Sequence, residues 1–128
     1  MKRGFTLIEL LITIVILGVI VSLTMPNFQK FTDKAKAQQA ATYLRVIRTG
    51  EKIYAANYGN YIPVSNASDI QKLLGAEVTE ESYRFYVTAD PEQNTFKATA
   101  ARQGNSKQWF AIDQNGEWSG TDEFRPKK

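Results

Sequence analysis

Hydrophobic and polar positions divide the first half of the chain into two helical patterns. Residues 5–25 are apolar on every side of a helix and carry one formal charge, Glu9. At about 1.5 Å per residue, this segment is long enough to cross a bilayer core of about 30 Å. From residue 28 onward, apolar residues recur at steps of three or four among charged ones, which predicts an amphipathic helix. We expect one helix from about Thr6 to about Asn57. The apolar positions expected to face a domain are Phe28, Phe31, Ala35, Ala41, Leu44, Ile47 and Tyr54.

Proline and glycine residues predict where this helix is interrupted and where it ends. A glycine also predicts the end of the short helix that follows. Pro26 deletes one helical hydrogen bond, so it predicts either a kink or a locally melted stretch. Gly59 and Pro63 end the long helix. Ser68 and Gln71 have the spacing of a capping box, which predicts a short helix up to about Leu74, closed by Gly75.

After residue 80 the hydrophobic period changes from helical to alternating. Residues 83–88, 95–100 and 109–113 each alternate between apolar and polar side chains, as half-buried strands do. Asn115-Gly116 predicts a two-residue hairpin that leads into a short fourth strand near residues 117–119. We expect an α+β fold in which an antiparallel meander packs on the second half of the long helix, around Leu44, Ile47 and Tyr54, while Trp109 points away. The residues expected on the inner face of the sheet are Phe85, Phe96, Phe110 and Ile112.

The amino-acid composition of the chain excludes several classes of functional site. The 128 residues contain no cysteine and no histidine, which excludes disulfides, thiolate metal sites and Ser-His or Cys-His catalysis. The net charge of +3 includes Lys2 and Arg3, so the rest of the chain is nearly neutral and no specific nucleic-acid surface is evident. The basic tail after Phe124 is typical of a solvated end. We expect a structural protein that is not an enzyme and has no cofactor.

Glu9 is the unusual feature of the apolar segment. A carboxylate in hydrocarbon costs about 3 kcal/mol by insertion scales, so it implies a partner or a function. Residues 1–25 have the basic start of a secretory signal, but Leu23-Thr24-Met25-Pro26 is a poor cleavage site. A plain signal anchor is the stronger general alternative, and it leaves Glu9 unexplained.

Lys2-Arg3-Gly4 followed by Phe5-Thr6-Leu7-Ile8-Glu9 and an apolar helix to Pro26 resembles the leader of type IV pilins and type II secretion pseudopilins. The resemblance implies a ladle-shaped fold and four segments. These are a leader (residues 1–4), a membrane or filament-core helix (residues 5–27), the amphipathic half of that helix (residues 28–57) and a globular domain (residues 58–128).

The same resemblance implies a sequence of processing and assembly steps, and the proteins that carry them out. A prepilin peptidase cuts between Gly4 and Phe5, and the new Phe5 amino terminus is methylated. The subunit then lies in the inner membrane as a single span with its C-terminal domain outward. An inner-membrane assembly platform moves it into a helical homopolymer, where Glu9 pairs with the Phe5 amino terminus of a neighbour and the stretch before Pro26 can extend.

Three functions remain open from the sequence. The first is an extracellular type IV pilus subunit for adhesion, motility or DNA uptake. The second is a type II secretion pseudopilin in a short periplasmic filament, and the third is a tethered binding domain without a polymer. Pseudopilins of this class bind calcium in their C-terminal region, and residues 113–123 contain several acidic side chains. Their spacing gives no complete ligand set, so we expect a structural turn there, and a solvated edge at Glu77, Glu80 and Glu81.

Overall fold

The computed structural model describes residues 4–127, which divide into two compact units between residues 34 and 35. The first helix, α1, spans Leu7–Tyr58 and continues through Pro26. Its ends lie one residue from the predicted ones, which confirms the long helix. The part of the predicted leader formed by Met1, Lys2 and Arg3 lies outside the described residues.

The second unit contains a short helix and a sheet. Helix α2 spans Ala67–Leu74, and the strands are β1 (Tyr83–Asp90), β2 (Thr95–Arg102), β3 (Trp109–Asp113) and β4 (Trp118–Gly120). Every strand pairs antiparallel with the next one in sequence, in the order β1-β2-β3-β4. The predicted α+β fold, with a helix packed on an antiparallel meander, is therefore confirmed.

One stripe of α1 forms the helical side of the core. It contains mostly small residues, and a small side chain lets an opposing layer approach closely. Phe28, Phe31 and Ala35 were expected on this face but are exposed, because the sheet belongs to the second unit and the stripe begins only at residue 37. The buried residues of α1 are Ala37, Ala40, Ala41, Leu44, Ile47, Gly50 and Glu51.

The inner face of the sheet is the predicted one. Its four predicted residues, Phe85, Phe96, Phe110 and Ile112, are all buried in one cluster with Leu44 and Ile47. Trp109 lies opposite Ala101, one register position from the Ala100–Phe110 pair, and therefore on the outer face.

Tyr54 was also expected in the core, and this was wrong. It is half-buried and its ring lies 4.5 Å from that of Tyr58. Tyr43, three turns further back on α1, instead meets Phe85 edge to face at 5.6 Å.

Two local predictions require correction. Helix α2 is capped by Asn66, whose side chain accepts from the amide of Asp69, so the capping pair lies two residues before the predicted Ser68 and Gln71. The predicted closure at Gly75 is correct, since Gly75 has a φ of 69° and its N–H donates to the carbonyl of Gln71.

The β3–β4 turn is longer than the predicted two-residue hairpin. The amide of Asp113 donates to the carbonyl of Glu117, so three residues separate the paired positions. The Asp113 Oδ1 accepts from the amides of Asn115 and Glu117 at 2.9 Å each, which stabilises the wider loop. Gly116 supplies the positive φ of 86° that a three-residue loop needs at this position.

The segment after β4 is held by a buried polar network. Tyr83 donates to Asp122 Oδ2 at 2.9 Å, and Arg102 pairs with the same oxygen at 3.4 Å and donates to Tyr83. The other carboxylate oxygen of Asp122 accepts from the amide of Phe124. A chain without cysteines thus closes its C-terminal end by hydrogen bonds and packing.

We expect Phe110→Ala to destabilise the folded domain by about 3–5 kcal/mol, because it removes a fully buried ring from the centre of the core. That loss is comparable with the whole stability of a small domain. Chemical denaturation of the full chain in detergent micelles, followed by tyrosine and tryptophan fluorescence, measures it.

Trp109→Ala is the matched control, since Trp109 is the neighbouring residue on the outer face and is half-buried. Its loss should cost less than half as much. Equal losses for the two variants would mean that the sheet faces the helix the other way round.

Candidate functional site

The described part of the N-terminal motif has three residues outside any helix or strand before α1 begins. Gly4, Phe5 and Thr6 precede the helix and are exposed, and Phe5 is 90% exposed. A side chain added at Gly4 would meet nothing within 4 Å, and Gly4 does not have a positive φ. Neither packing nor backbone geometry in the folded subunit therefore requires a glycine at this position.

Glu9 and Thr6 form a capping box at the start of α1. The backbone N–H of Thr6 donates to Glu9 Oε2 at 2.9 Å, and the Thr6 hydroxyl donates to the same oxygen at 3.2 Å. In return, the amide of Glu9 donates to the Thr6 hydroxyl oxygen at 3.2 Å. Such reciprocal bonds satisfy two helix-terminal N–H groups. Sequence reasoning assigned Glu9 only a role in filament assembly, although the Thr-x-x-Glu spacing also predicts this cap.

The first half of α1 presents apolar side chains on all sides. Within it lies a stretch long and apolar enough to cross a membrane, and none of that stretch is buried in the structure. Its large side chains, from Leu7 to Met25, are each at least half exposed. The hydroxyl groups in the stretch do not break this pattern, because each donates to a carbonyl of its own helix. These bonds are Thr13 to Glu9, Ser22 to Val19 and Thr24 to Val21.

Pro26 lies inside α1, one residue after this apolar stretch. A proline has no N–H, so the carbonyl of Ser22, four residues earlier, loses its helical donor. The side chains of Ser22 and Thr24 bond to other carbonyls in the same two turns. The helix therefore lacks one backbone hydrogen bond at the place where a kink or an extension was expected.

The two aspartates of the C-terminal region, Asp113 and Asp122, have protein partners. Asp113 accepts from two amides of its own turn, and the carbonyls of Asp113 and Gln114 accept from the guanidinium of Arg48 on α1 at 3.2 and 3.0 Å. In the described part of the chain, no three acidic side chains come together as a metal site would require. Glu80, expected on a solvated edge, accepts from the amide of Phe85 at 3.1 Å.

Sequence reasoning missed two groups in the second unit, Glu51 and the Asp122 network. Glu51 is fully buried, and burial raises its pKa from 4.5 to about 7, although the Ile62 amide bonded to it acts in the opposite direction. Burial likewise raises the pKa of Tyr83 to about 12, with Arg102 opposing the shift and Asp122 adding to it. Helical periodicity would have found Glu51, since it lies one turn after Ile47 on the buried stripe. The Asp122 contact joins residues 39 positions apart and has no sequence signature.

Comparison with known proteins finds similarity to pilins and to a type II secretion system core protein. The model of the prokaryotic N-terminal methylation motif matches residues 1–25. The chain is 38% identical over 65 residues to the type IV major pilin protein PilA of Myxococcus xanthus, a match that covers 51% of this chain and 30% of PilA. No solved structure matches the chain significantly.

Two further relatives match most of the chain. The type II secretion system core protein G of Escherichia coli is 27% identical over 96% of this chain and 89% of its own length. A fimbrial protein of Neisseria meningitidis is 25% identical over 86% of this chain and 72% of its own length. These relatives are named as filament and secretion-system components. The resemblance inferred from the sequence is therefore confirmed: the chain carries the prepilin-type N-terminal methylation motif, and its relatives are type IV pilins and type II secretion pseudopilins.

Proposed function

We propose that this chain is a structural subunit of an extracellular type IV pilus, cleaved after Gly4, held in the inner membrane and then polymerised through α1. One observation carries the proposal: the apolar half of α1 is exposed along its whole length in the subunit. A helix that is apolar all round requires a lipid or protein environment. The inner membrane provides the first before assembly, and the helices of neighbouring subunits provide the second within a homopolymer.

The cleavage step is supported by Gly4. Because the folded subunit places no demand on this position, a requirement for glycine would come from an outside partner. A prepilin peptidase whose pocket excludes a side chain before the scissile bond is such a partner. Cleavage there leaves α1 intact and frees the amino group of Phe5, which is exposed for methylation.

The assembly step is supported by Glu9. Its capping bonds occupy Oε2, and Oε1 has no hydrogen-bond partner among the described residues. An ionised carboxylate in an apolar filament core would be costly alone, and an opposite charge compensates part of that cost. We assign this role to the Phe5 amino terminus of a neighbouring subunit. Only one vertical offset between helices satisfies both charges, so the pair also sets the register of the filament.

A second candidate is a type II secretion pseudopilin in a short periplasmic filament. Protein G of the secretion system matches 96% of the chain, a larger share than the pilin matches cover. The β3–β4 turn supports the pilus over a calcium-binding pseudopilin, because the Asp113 and Gln114 carbonyls already accept from Arg48 and calcium prefers several free oxygen ligands.

Electron microscopy of whole cells tests the choice between the two. If the protein forms a pilus, cells that make it carry long surface filaments, and a deletion strain loses them. If it forms a pseudopilus, the surface filaments are unchanged and the deletion strain instead retains folded exoproteins in the periplasm.

Replacing Gly4 with leucine should block processing, because the peptidase pocket has no space for a side chain. Mass spectrometry of the wild-type subunit should give a mass that lacks residues 1–4 and carries one methyl group on Phe5. The Gly4→Leu subunit should keep its leader. Gly18→Leu is the control, since Gly18 also has no neighbour within 4 Å but lies inside the helix. A wild-type subunit that retains Met1 in cells containing the peptidase would contradict the proposal.

The role of the Glu9 charge can be separated from its role as a cap. Glu9→Gln keeps a capping-box side chain and removes the charge, whereas Thr6→Val removes the cap hydroxyl and keeps the charge. If the charge pairs with a neighbour, Glu9→Gln cells should make, cleave and insert the subunit but assemble few filaments. The unpaired amino group would cost about 3–5 kcal/mol at each interface. Filament yield after shearing, compared with the amount of subunit in membranes, measures the difference.

Thr6→Val should assemble filaments close to the wild-type yield, because an exposed cap contributes only about 1 kcal/mol. Normal filaments from cells that make only Glu9→Gln would disprove the charge pairing. Equal defects in the two variants would instead assign Glu9 a purely structural role at the helix start.

A further inference from the structure

The segment that follows α1 is fixed to the domain by a few specific contacts. We call residues 60–65 the strap. The amide of Ile62 donates to Glu51 Oε2 at 3.0 Å. Val64 exchanges two backbone hydrogen bonds with Val87, at 3.0 and 2.7 Å, and the Tyr61 ring lies 4.6 Å from that of Phe96.

The strap covers an edge of the sheet. Strand β1 is the first in the order β1-β2-β3-β4, so one of its sides has no partner strand. Val64 covers the outward N–H and C=O of Val87, and Glu80 covers the outward N–H of Phe85. Uncovered edge groups can pair with another chain, and proteins shield them by such devices. Release of the strap would therefore expose part of the β1 edge.

Glu51 holds the strap from inside the core. It has no exposed surface, and its Oε1 is buried without a hydrogen-bond partner. A neutral carboxylic acid tolerates this arrangement better than a carboxylate, because an ionised oxygen needs donors or water. Among the described residues, the Ile62 amide of the strap is the single donor to this side chain.

The charged groups of the surrounding elements are otherwise engaged or exposed. Arg48 donates to the β3–β4 turn, and Asp69 bonds to Asn66. Lys52 and Lys72 are exposed. The titratable groups on the strap and on the inner side of the sheet are Tyr61, which meets Phe96 edge to face, and Tyr83, Arg102 and Asp122, which bond to one another.

We propose that Glu51 is a proton-controlled latch: loss of its proton to solvent releases the strap and uncovers the β1 edge. An ionised Glu51 is hydrated only if water reaches Oε1, and movement of the strap provides the path. The latch is a property of the subunit itself and does not depend on the proposed pilus function.

The direction of the pH effect follows from the burial of Glu51. With the strap closed its pKa is raised to about 7, whereas a hydrated glutamate titrates near 4.5. The closed state is fully favoured below pH 4.5 and loses its advantage as the pH rises through 7. The strap should therefore be closed in acid and open more often at mildly alkaline pH.

Amide hydrogen exchange in the full chain, in detergent micelles, measures the opening. After correction for the intrinsic pH dependence of exchange, protection of the Val64 and Val87 amides should fall on the order of tenfold to a hundredfold between pH 5 and pH 8. Glu51→Gln keeps an acceptor for the Ile62 amide and cannot ionise. In this variant protection should stay constant across the same range.

Glu80→Gln is the matched control, because Glu80 also accepts from a backbone amide on the β1 side and should leave the pH effect intact. Carbon-13 titration of the Glu51 carboxyl in the wild-type chain gives a second measurement that needs no variant. Its midpoint should lie near 7 and coincide with the loss of protection at Val64. Constant protection in the wild type, a fall that persists in Glu51→Gln, or a midpoint near 4.5 would overturn the latch.

Discussion

The domain depends on the packing of one stripe of α1 against the inner face of the sheet. The four-stranded meander has an apolar face that needs to be covered, and an isolated amphipathic helix is marginal in water. Leu44 and Ile47 join Phe85 and Phe110 in one buried cluster. Gly50 allows α2 to join this core, because any side chain there would collide with Leu74.

The same helix has two different environments along its length. From residue 37 onward the buried stripe has a partner within the chain, whereas the apolar residues from Leu7 to Met25 have none in the described structure. Because of this difference, the subunit exposes a long apolar surface that is unfavourable in water. A membrane and a filament core would both cover this apolar surface, so the proposed function uses the same helix as an anchor first and as an assembly surface afterwards.

In the described part of the chain, three glutamate side chains accept hydrogen bonds from backbone amides, and they differ in how deeply they are buried. Glu9 is exposed and caps α1, Glu80 is half-buried and covers Phe85, and Glu51 is fully buried and holds Ile62. Only Glu51 combines full burial with an unpaired oxygen, and it is the one whose pKa is raised. Equivalent hydrogen bonds therefore have different consequences, because the cost of the ionised form depends on access to water.

The sequence by itself determined the elements and the sheet face, because both follow from local periodicity. Helical and alternating patterns predicted α1, the four strands and the buried Phe85, Phe96, Phe110 and Ile112. Only the tertiary structure decided where the buried stripe of α1 begins. It also decided that Tyr43, and not Tyr54, contacts the sheet, and that Asp122 holds the segment after β4. The environment of Glu51 was also decided by the tertiary structure. Its position on the buried stripe can be read from the sequence, but its hydrogen bond with the Ile62 amide cannot. Those features depend on contacts between distant residues, and periodicity carries no information about which distant residues meet.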